Sequence, residues 1–154
     1  MIMDHKLKLM VVDDSPLFRT WLIRSLSEDD RFQVVGYAVN ALDAQEKIPL
    51  LQPDMLTLDI EMPGMSGIDF LKQLLPVHPI PVILVSSLNL RVFDALEAGA
   101  VDFVRKPDEA NGLSKEIFLS MLRSKLMVAA ASHVHLPSAL TDPQAGGIRQ
   151  GSSL

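Results

Sequence analysis

LKLMVVDDSP, residues 7–16, contains the repeating unit of the predicted fold, because a short, mostly apolar run stops at two acids and a helix-start signal follows at once. An apolar run of this length is typical of a strand that is buried on both faces of a parallel sheet. Ser15 can cap the free amides of a helix, and Pro16 fits a first helical turn. The stretch therefore predicts a strand, the acidic pair Asp13 and Asp14 at its carboxyl end, and a helix.

The same strand-then-helix pattern recurs four more times along the chain. Asn40 is a candidate cap of the second helix, and Gly99 is a candidate left-handed end of the fourth. Parallel strands need crossover connections, so the pattern predicts a doubly wound α/β fold, with a five-stranded parallel sheet flanked by five helices. The predicted strands are 7–12, 32–39, 54–58, 81–85 and 101–104. The first predicted helix begins near residue 16, and the second spans 41–51. The third follows a Pro/Gly loop and ends near residue 77, and the last two span 90–98 and 113–126.

Polar side chains follow four of these strands. Asp13 and Asp14 follow the first, Asp59 the third, Ser86 the fourth and Lys106 the fifth. Ligands of doubly wound sheets bind outside the carboxyl ends of the strands, where the strand order reverses. We therefore expect three carboxylates, a hydroxyl and an ammonium to share one edge of the sheet.

These residue types suit a magnesium-assisted reaction. Mg²⁺ prefers hard oxygen ligands and usually keeps some of its waters. We expect Asp14 and Asp59 to be direct ligands, Asp13 to act through water, and the backbone carbonyl of Glu61 to supply a further oxygen. Each acid by itself is also consistent with an ordinary solvated turn residue, so the prediction rests on the set.

The set also predicts phosphoryl chemistry. An aspartate carboxylate can attack phosphorus when cations balance the charge on the transferring group. We expect Mg²⁺ and Lys106 to supply that balance, and Ser86 to donate a hydrogen bond to a phosphoryl oxygen. The acid-x-acid spacing of Asp59 and Glu61 is also reminiscent of haloacid-dehalogenase phosphatases, although that family expects Asp at the second acid.

Composition limits the class of protein. The chain has 154 residues, a formal net charge of −5 and no cysteine, which predicts one main domain without disulfide or thiolate chemistry. An acidic chain is a poor direct partner for nucleic acid, and we expect no membrane insertion and a cytoplasmic location. Alanine, serine, proline and glycine dominate residues 129–154, which predicts a flexible linker or tail there.

Four motifs span the predicted strand ends: VVDDSP (11–16), LDIEMPGMSG (58–67), PVILVSS (81–87) and AGAVDFVRKP (98–107). Together they resemble the receiver domains of bacterial two-component response regulators. The resemblance covers residues 6–128 and implies the flavodoxin-like receiver fold. Within that family, the chain is most similar to the regulatory half of the chemotaxis protein-glutamate methylesterase.

The resemblance implies a role for each site residue. It makes Asp59 the phosphoacceptor, the acidic pair before Ser15 the metal site, and Lys106 the phosphate-contacting lysine. Ser86 corresponds to the switch hydroxyl and Phe103 to the aromatic residue whose rotation reports phosphorylation. The segment between Ser86 and Phe103 is slightly shorter than in the methylesterase group. This difference affects the predicted output surface and not the predicted phosphorylation site.

The resemblance also implies partners. A cognate histidine kinase would supply the phosphoryl group, and an output domain or a chemotaxis protein would respond to it. We expect no catalysis by this chain beyond its own phosphorylation and dephosphorylation, whether it stands alone or belongs to a methylesterase whose catalytic domain lies outside it. The alternatives are a stand-alone aspartyl-phosphate phosphatase and an interaction module that works without phosphorylation.

Overall fold

The computed structural model of the protein describes residues 6–87, 91–108, 110 and 112–135. Within these residues, strands and helices alternate as the sequence predicts. The strands are β1 (Leu7–Val12), β2 (Phe32–Ala38), β3 (Met55–Leu58), β4 (Val82–Ser86) and β5 (Asp102–Arg105), and the helices are α1 (Pro16–Ser27), α2 (Ala41–Leu51), α3 (Gly67–Leu74), α4 (Arg91–Glu97) and α5 (Lys115–His135).

The five strands form one parallel sheet in the order β2-β1-β3-β4-β5. The predicted doubly wound α/β fold is therefore confirmed. The strand order reverses at β1, because β2 lies on one side of it and β3 on the other. Val12 at the end of β1 pairs with Leu58 at the end of β3, so the residues that follow these two strands leave the sheet side by side.

Both faces of the sheet are covered, which explains why residues 9–12 of β1 are all apolar and buried. Leu9 and Val11 belong to a core cluster that includes residues of α1 and α5. Met10 and Val12 belong to a second cluster, on the other face, that includes residues of α2, α3 and α4. A strand buried in this way has no solvent-facing side on which polar residues could alternate.

Local signals explain most of the helix ends. The Asn40 side chain accepts a hydrogen bond from the Asp43 N–H at 2.8 Å, and Gly99 has a φ of +118° just after α4, as predicted for both residues. Helix α3 ends at Leu74, earlier than predicted. Ser15 occupies the N-cap position of α1, but the prediction that it caps the helix is wrong, because its side chain makes no capping hydrogen bond.

Helix α5 is longer than the sequence pattern indicates. It continues to His135, so the predicted domain boundary at residue 128 lies inside it. Ala129 and Ala130 are both buried and belong to the core cluster that includes Leu9 and Val11. The rest of the predicted tail, residues 136–154, lies outside the described residues, as does residue 90 at the predicted start of α4.

Gly67 allows α3 to start directly against the end of β3. A Cβ atom at this position would lie 2.6 Å from the Ile60 Cα, which is far inside van der Waals contact. The Gly67 N–H donates to the Ile60 carbonyl at 3.2 Å. This close approach therefore holds Ile60, the residue after Asp59, against the first turn of α3.

We predict that Gly67→Ala lowers the free energy of unfolding by about 1–3 kcal/mol, because backbone must move to admit the methyl group. The intrinsic helix preference of alanine offsets only part of this loss. Urea unfolding followed by circular dichroism measures the change. Lys72→Ala, at an exposed position of the same helix, is the control and should stay within about 0.5 kcal/mol of the parent protein. Equal stability of both variants would contradict the contact.

Candidate functional site

Two buried aspartates lie at the point where the strand order reverses. The Asp13 N–H donates to the Ala38 carbonyl and the Asp59 N–H to the Val12 carbonyl, each at 3.0 Å, so both residues extend the hydrogen bonding of the sheet. Each carboxylate also accepts a backbone hydrogen bond through its Oδ1, Asp13 from Ser15 at 2.8 Å and Asp59 from Glu61 at 3.0 Å. These contacts fix both carboxylates from the backbone.

The Lys106 ammonium lies between the two carboxylates. Its Nζ is 3.0 Å from Asp13 Oδ2 and 3.1 Å from Asp59 Oδ2. The Lys106 N–H donates to the Ser86 carbonyl at 3.0 Å, which continues the ladder between β4 and β5. The lysine is therefore held at its backbone by one strand end and at its ammonium by two others.

Burial makes the site unfavourable for negative charge. Desolvation raises the pKa of the Asp13 carboxyl above its usual value; the Ser15 N–H and Lys106 oppose this effect, and the Asp59 charge adds to it. Burial also disfavours the Lys106 ammonium, but the attraction of Asp13 and Asp59 outweighs burial and raises the pKa of Lys106. The Lys106 side chain is therefore charged, but its single positive charge does not fully neutralise the negative charge of the two carboxylates.

A third carboxylate completes a possible metal site. One oxygen from each of Asp13, Asp14 and Asp59 lies within 4.8 Å of the others. Asp14 is exposed and the other two are buried, so the cluster faces solvent on one side. A set of hard oxygen donors with excess negative charge fits a divalent cation such as Mg²⁺. Glu61, whose carbonyl the sequence predicts as a further ligand, directs its N–H at Asp59.

Ser86 and Phe103 lie on adjacent strands next to this cluster. The Ser86 hydroxyl is fully buried, and no hydrogen-bond partner for it is present among the described residues. Phe103 pairs in register with Leu84, two residues before Ser86, and its half-buried ring packs against the core on the α4 side of the sheet. The hydroxyl therefore has unused hydrogen-bonding capacity, two residues along β4 from the register partner of Phe103.

Several residues that the sequence pattern does not identify support the site. The Arg19 Nη1 donates to the Asp13 carbonyl at 2.8 Å, and the Phe18 ring lies under the Lys106 ammonium. Lys125 Nζ donates to the Phe103 carbonyl and to Asp102 Oδ1, each at 3.0 Å. One signal was available for Arg19, since it lies one helical turn after Ser15 and therefore on the same side of α1.

Residues 9–118 match the sequence model of the response regulator receiver domain. The chain belongs to the response regulator receiver family. None of the described helices is both long and apolar enough to cross a bilayer.

The receiver is similar to a protein-glutamate methylesterase/protein-glutamine glutaminase 2 of Syntrophomonas wolfei. The two chains are 46% identical over 130 residues, which is 84% of this chain and 38% of the relative. The receiver therefore spans about two fifths of the length of that relative. Its similarity to the methylesterase group, predicted from the sequence motifs, is confirmed.

Solved receiver structures have the same fold. The response regulator domain of CheB from Thermotoga maritima matches with a TM-score of 0.72 and 36% identity, over 82% of this chain and 98% of that one. A structure of the P1 domain of CheA3 in complex with CheY6 from R. sphaeroides matches with a TM-score of 0.66 and 28% identity, over 80% and 96%. The fold of the chain is thus that of solved receiver domains, including that of CheB.

We predict that Asp13→Asn raises the urea midpoint of the metal-free receiver at pH 7. The pKa of Asp13 in the folded protein lies above the usual 3.8. At pH values just above 3.8, the folded protein therefore binds more protons than the unfolded chain, and its stability falls as the pH rises through this range. The asparagine removes this loss. The advantage should shrink as the pH falls towards 3.8.

Unfolding curves in chelator at pH 7 and near pH 4 measure this effect. Asp30→Asn, at an exposed turn position, is the control and should leave the midpoint almost unchanged. A lower midpoint for Asp13→Asn at pH 7 would mean that the contact with Lys106 outweighs the burial of the carboxylate.

Proposed function

We propose that the chain is a phospho-accepting receiver in which Asp59 carries the phosphoryl group. One observation carries the proposal: Asp59 lies at the reversal point of the sheet, with Oδ2 3.1 Å from the Lys106 ammonium and other oxygens of the acidic cluster within 4.8 Å. A nucleophile, a fixed cation and a divalent cation site are the parts that phosphoryl transfer requires.

In this proposal, a cognate histidine kinase is the phosphoryl donor. An Asp59 carboxylate oxygen forms a bond to phosphorus while the bond between phosphorus and the donor imidazole nitrogen breaks, and the imidazole leaves with the electron pair. Lys106 keeps an ammonium beside the equatorial oxygens. Asp13, Asp14, Asp59 and the Glu61 carbonyl are the proposed holders of Mg²⁺, which balances charge on the transferring group when it is bound.

Ser86 and Phe103 are the proposed switch. The buried Ser86 hydroxyl has no hydrogen-bond partner among the described residues, and a phosphoryl oxygen on Asp59 would be a strong acceptor for it. Movement of Ser86 towards that oxygen would vacate space that the Phe103 ring can enter. The surface around α4, β5 and α5 would then change.

The similarity to methylesterases suggests what this switch controls. We propose that the chain is a regulatory unit of a cytoplasmic chemotaxis pathway, acting on a methylesterase output domain or on a separate chemotaxis protein. Two findings support this setting. The first is the similarity to the methylesterase of Syntrophomonas wolfei, of whose length this chain covers 38%. The second is the similarity to a structure that contains CheY6 with the P1 domain of CheA3.

We predict that acetyl phosphate and Mg²⁺ label the protein on Asp59. Mass spectrometry after reductive trapping identifies the labelled residue. Asp59→Asn should remove the label, and chelation of the metal should reduce it by at least about tenfold, because the charge of the transferring group would be uncompensated. Asp54→Asn, an exposed acid before β3, is the matched control.

Other outcomes of this experiment would identify the alternatives. Equal labelling of Asp59→Asn would contradict the assignment of the phosphoacceptor. Steady release of phosphate from small phosphomonoesters would identify a phosphatase instead. A folded protein that takes no label with Mg²⁺ and any donor would identify an interaction module that works without phosphorylation.

We predict that Ser86→Ala leaves the free energy of unfolding equal or raises it by up to about 1 kcal/mol, since a buried hydroxyl without a partner is itself unfavourable. The variant should also lose most of the chemical-shift change of the Phe103 ring on addition of beryllium trifluoride and Mg²⁺. Ser87→Ala, at the exposed neighbouring position, should retain that change. A full Phe103 response in Ser86→Ala would exclude the switch role.

A further inference from the structure

The Lys106 ammonium has a third neighbour besides its two carboxylates. Its Nζ lies 4.6 Å from the centroid of the Phe18 ring on α1. At this distance the negative face of an aromatic ring attracts a cation, and the attraction is larger where water is partly excluded. Only 21% of the Lys106 side chain is exposed, so the contact lies in such a region.

The Phe18 ring is itself held in place by two other rings. Its centroid lies 5.9 Å from that of Phe118 at an interplanar angle of 62°, and 5.7 Å from that of Trp21 at 41°. Trp21 and Phe118 are also 5.9 Å apart, so the three rings form a closed group. Phe118 is fully buried and anchors this group between α1 and α5.

We propose that Phe18 is a positioning residue for phosphoryl transfer, which holds the Lys106 ammonium at the site while the carboxylates change partners. The proposal rests on the proposed function of Asp59. It adds a role for a residue of α1 that neither the sequence motifs nor the acidic cluster identifies.

A lysine in this position needs an anchor that does not change during the reaction. Its four-carbon chain is flexible and loses rotamer freedom when it is held. The two ion pairs weaken when a divalent cation or a phosphoryl group takes up the carboxylate charge. The ring quadrupole of Phe18 is the same before and after, so its attraction for the ammonium persists through the transfer.

Trp21 provides the contrast. Its ring belongs to the same group, but the cation above it is Lys115, at 5.1 Å. Removal of the Trp21 ring disturbs the packing of the group and leaves the ring under Lys106. Removal of the Phe18 ring disturbs the same packing and also removes the ring under Lys106. The two positions therefore separate packing from the attraction for the lysine.

The test compares Phe18→Leu, Phe18→Tyr and Trp21→Leu in the full chain. The readouts are the rate of Asp59 labelling by acetyl phosphate at saturating Mg²⁺, the Mg²⁺ affinity from calorimetry, and the urea midpoint. Phe18→Leu should label about threefold to tenfold more slowly, as a cation–π contact of this strength implies. Phe18→Tyr and Trp21→Leu should stay within about twofold of the parent protein.

The Mg²⁺ affinity distinguishes positioning from general damage to the site. It should change by less than about twofold in Phe18→Leu, because no ligand oxygen contacts the ring in this proposal, whereas a disordered site would lose affinity and rate together. Equal loss of rate in Trp21→Leu and Phe18→Leu would overturn the proposal, as would an unchanged rate in Phe18→Leu. Phe18→Met replaces Phe18→Leu if the latter does not fold, with the same expected rate.

Failure of this inference can be told apart from failure of the proposed function. If the parent protein takes no label on Asp59, the proposed function is wrong and the positioning role falls with it. If the parent protein labels normally and Phe18→Leu labels at the same rate, only the positioning role is wrong.

Discussion

An ammonium between two buried carboxylates is the interaction on which the rest of this site depends. Two like charges about 4 Å apart in a partly buried region repel by roughly 4 kcal/mol, so Asp13 and Asp59 need a cation to remain side by side. Lys106 is that cation, at 3.0 and 3.1 Å. Because it follows β5 while the acids follow β1 and β3, the ion pairs tie three strand ends together.

The sheet order makes this arrangement possible. β1 and β3 are neighbours at the reversal point, so the acids that follow these two strands lie side by side. Two carboxylates share one ammonium and Asp14 adds a third negative charge nearby, so the cluster keeps excess negative charge in a place where burial already disfavours it. Such an arrangement reduces stability and favours a cationic ligand, which is a common compromise at functional sites.

The positions of the site residues along the chain could be predicted because four of the five strands end at or just before a charged or polar residue. The apolar run before Asp13 and the Lys106-Pro107 pair fix strand ends almost to the residue. The contact of Phe18 with Lys106 could not be predicted, since packing alone brings this side chain of α1 near the end of β5. For Arg19, only its position one helical turn after Ser15 indicated the side of α1 on which it lies. The length of α5 was underestimated, because the alanines at 129 and 130 suggested an unpacked segment, whereas small side chains are what close packing requires there.

The aromatic group gives the protein an intrinsic optical probe. Trp21 is the single tryptophan of the chain, and its ring contacts Phe18, on which the Lys106 ammonium lies. Indole emission is sensitive to nearby charge and to the rigidity of its surroundings. Changes in the position of the lysine are therefore coupled to the emission of Trp21 through one intervening ring, and the charge state of the acidic cluster is accessible to spectroscopy without any attached label.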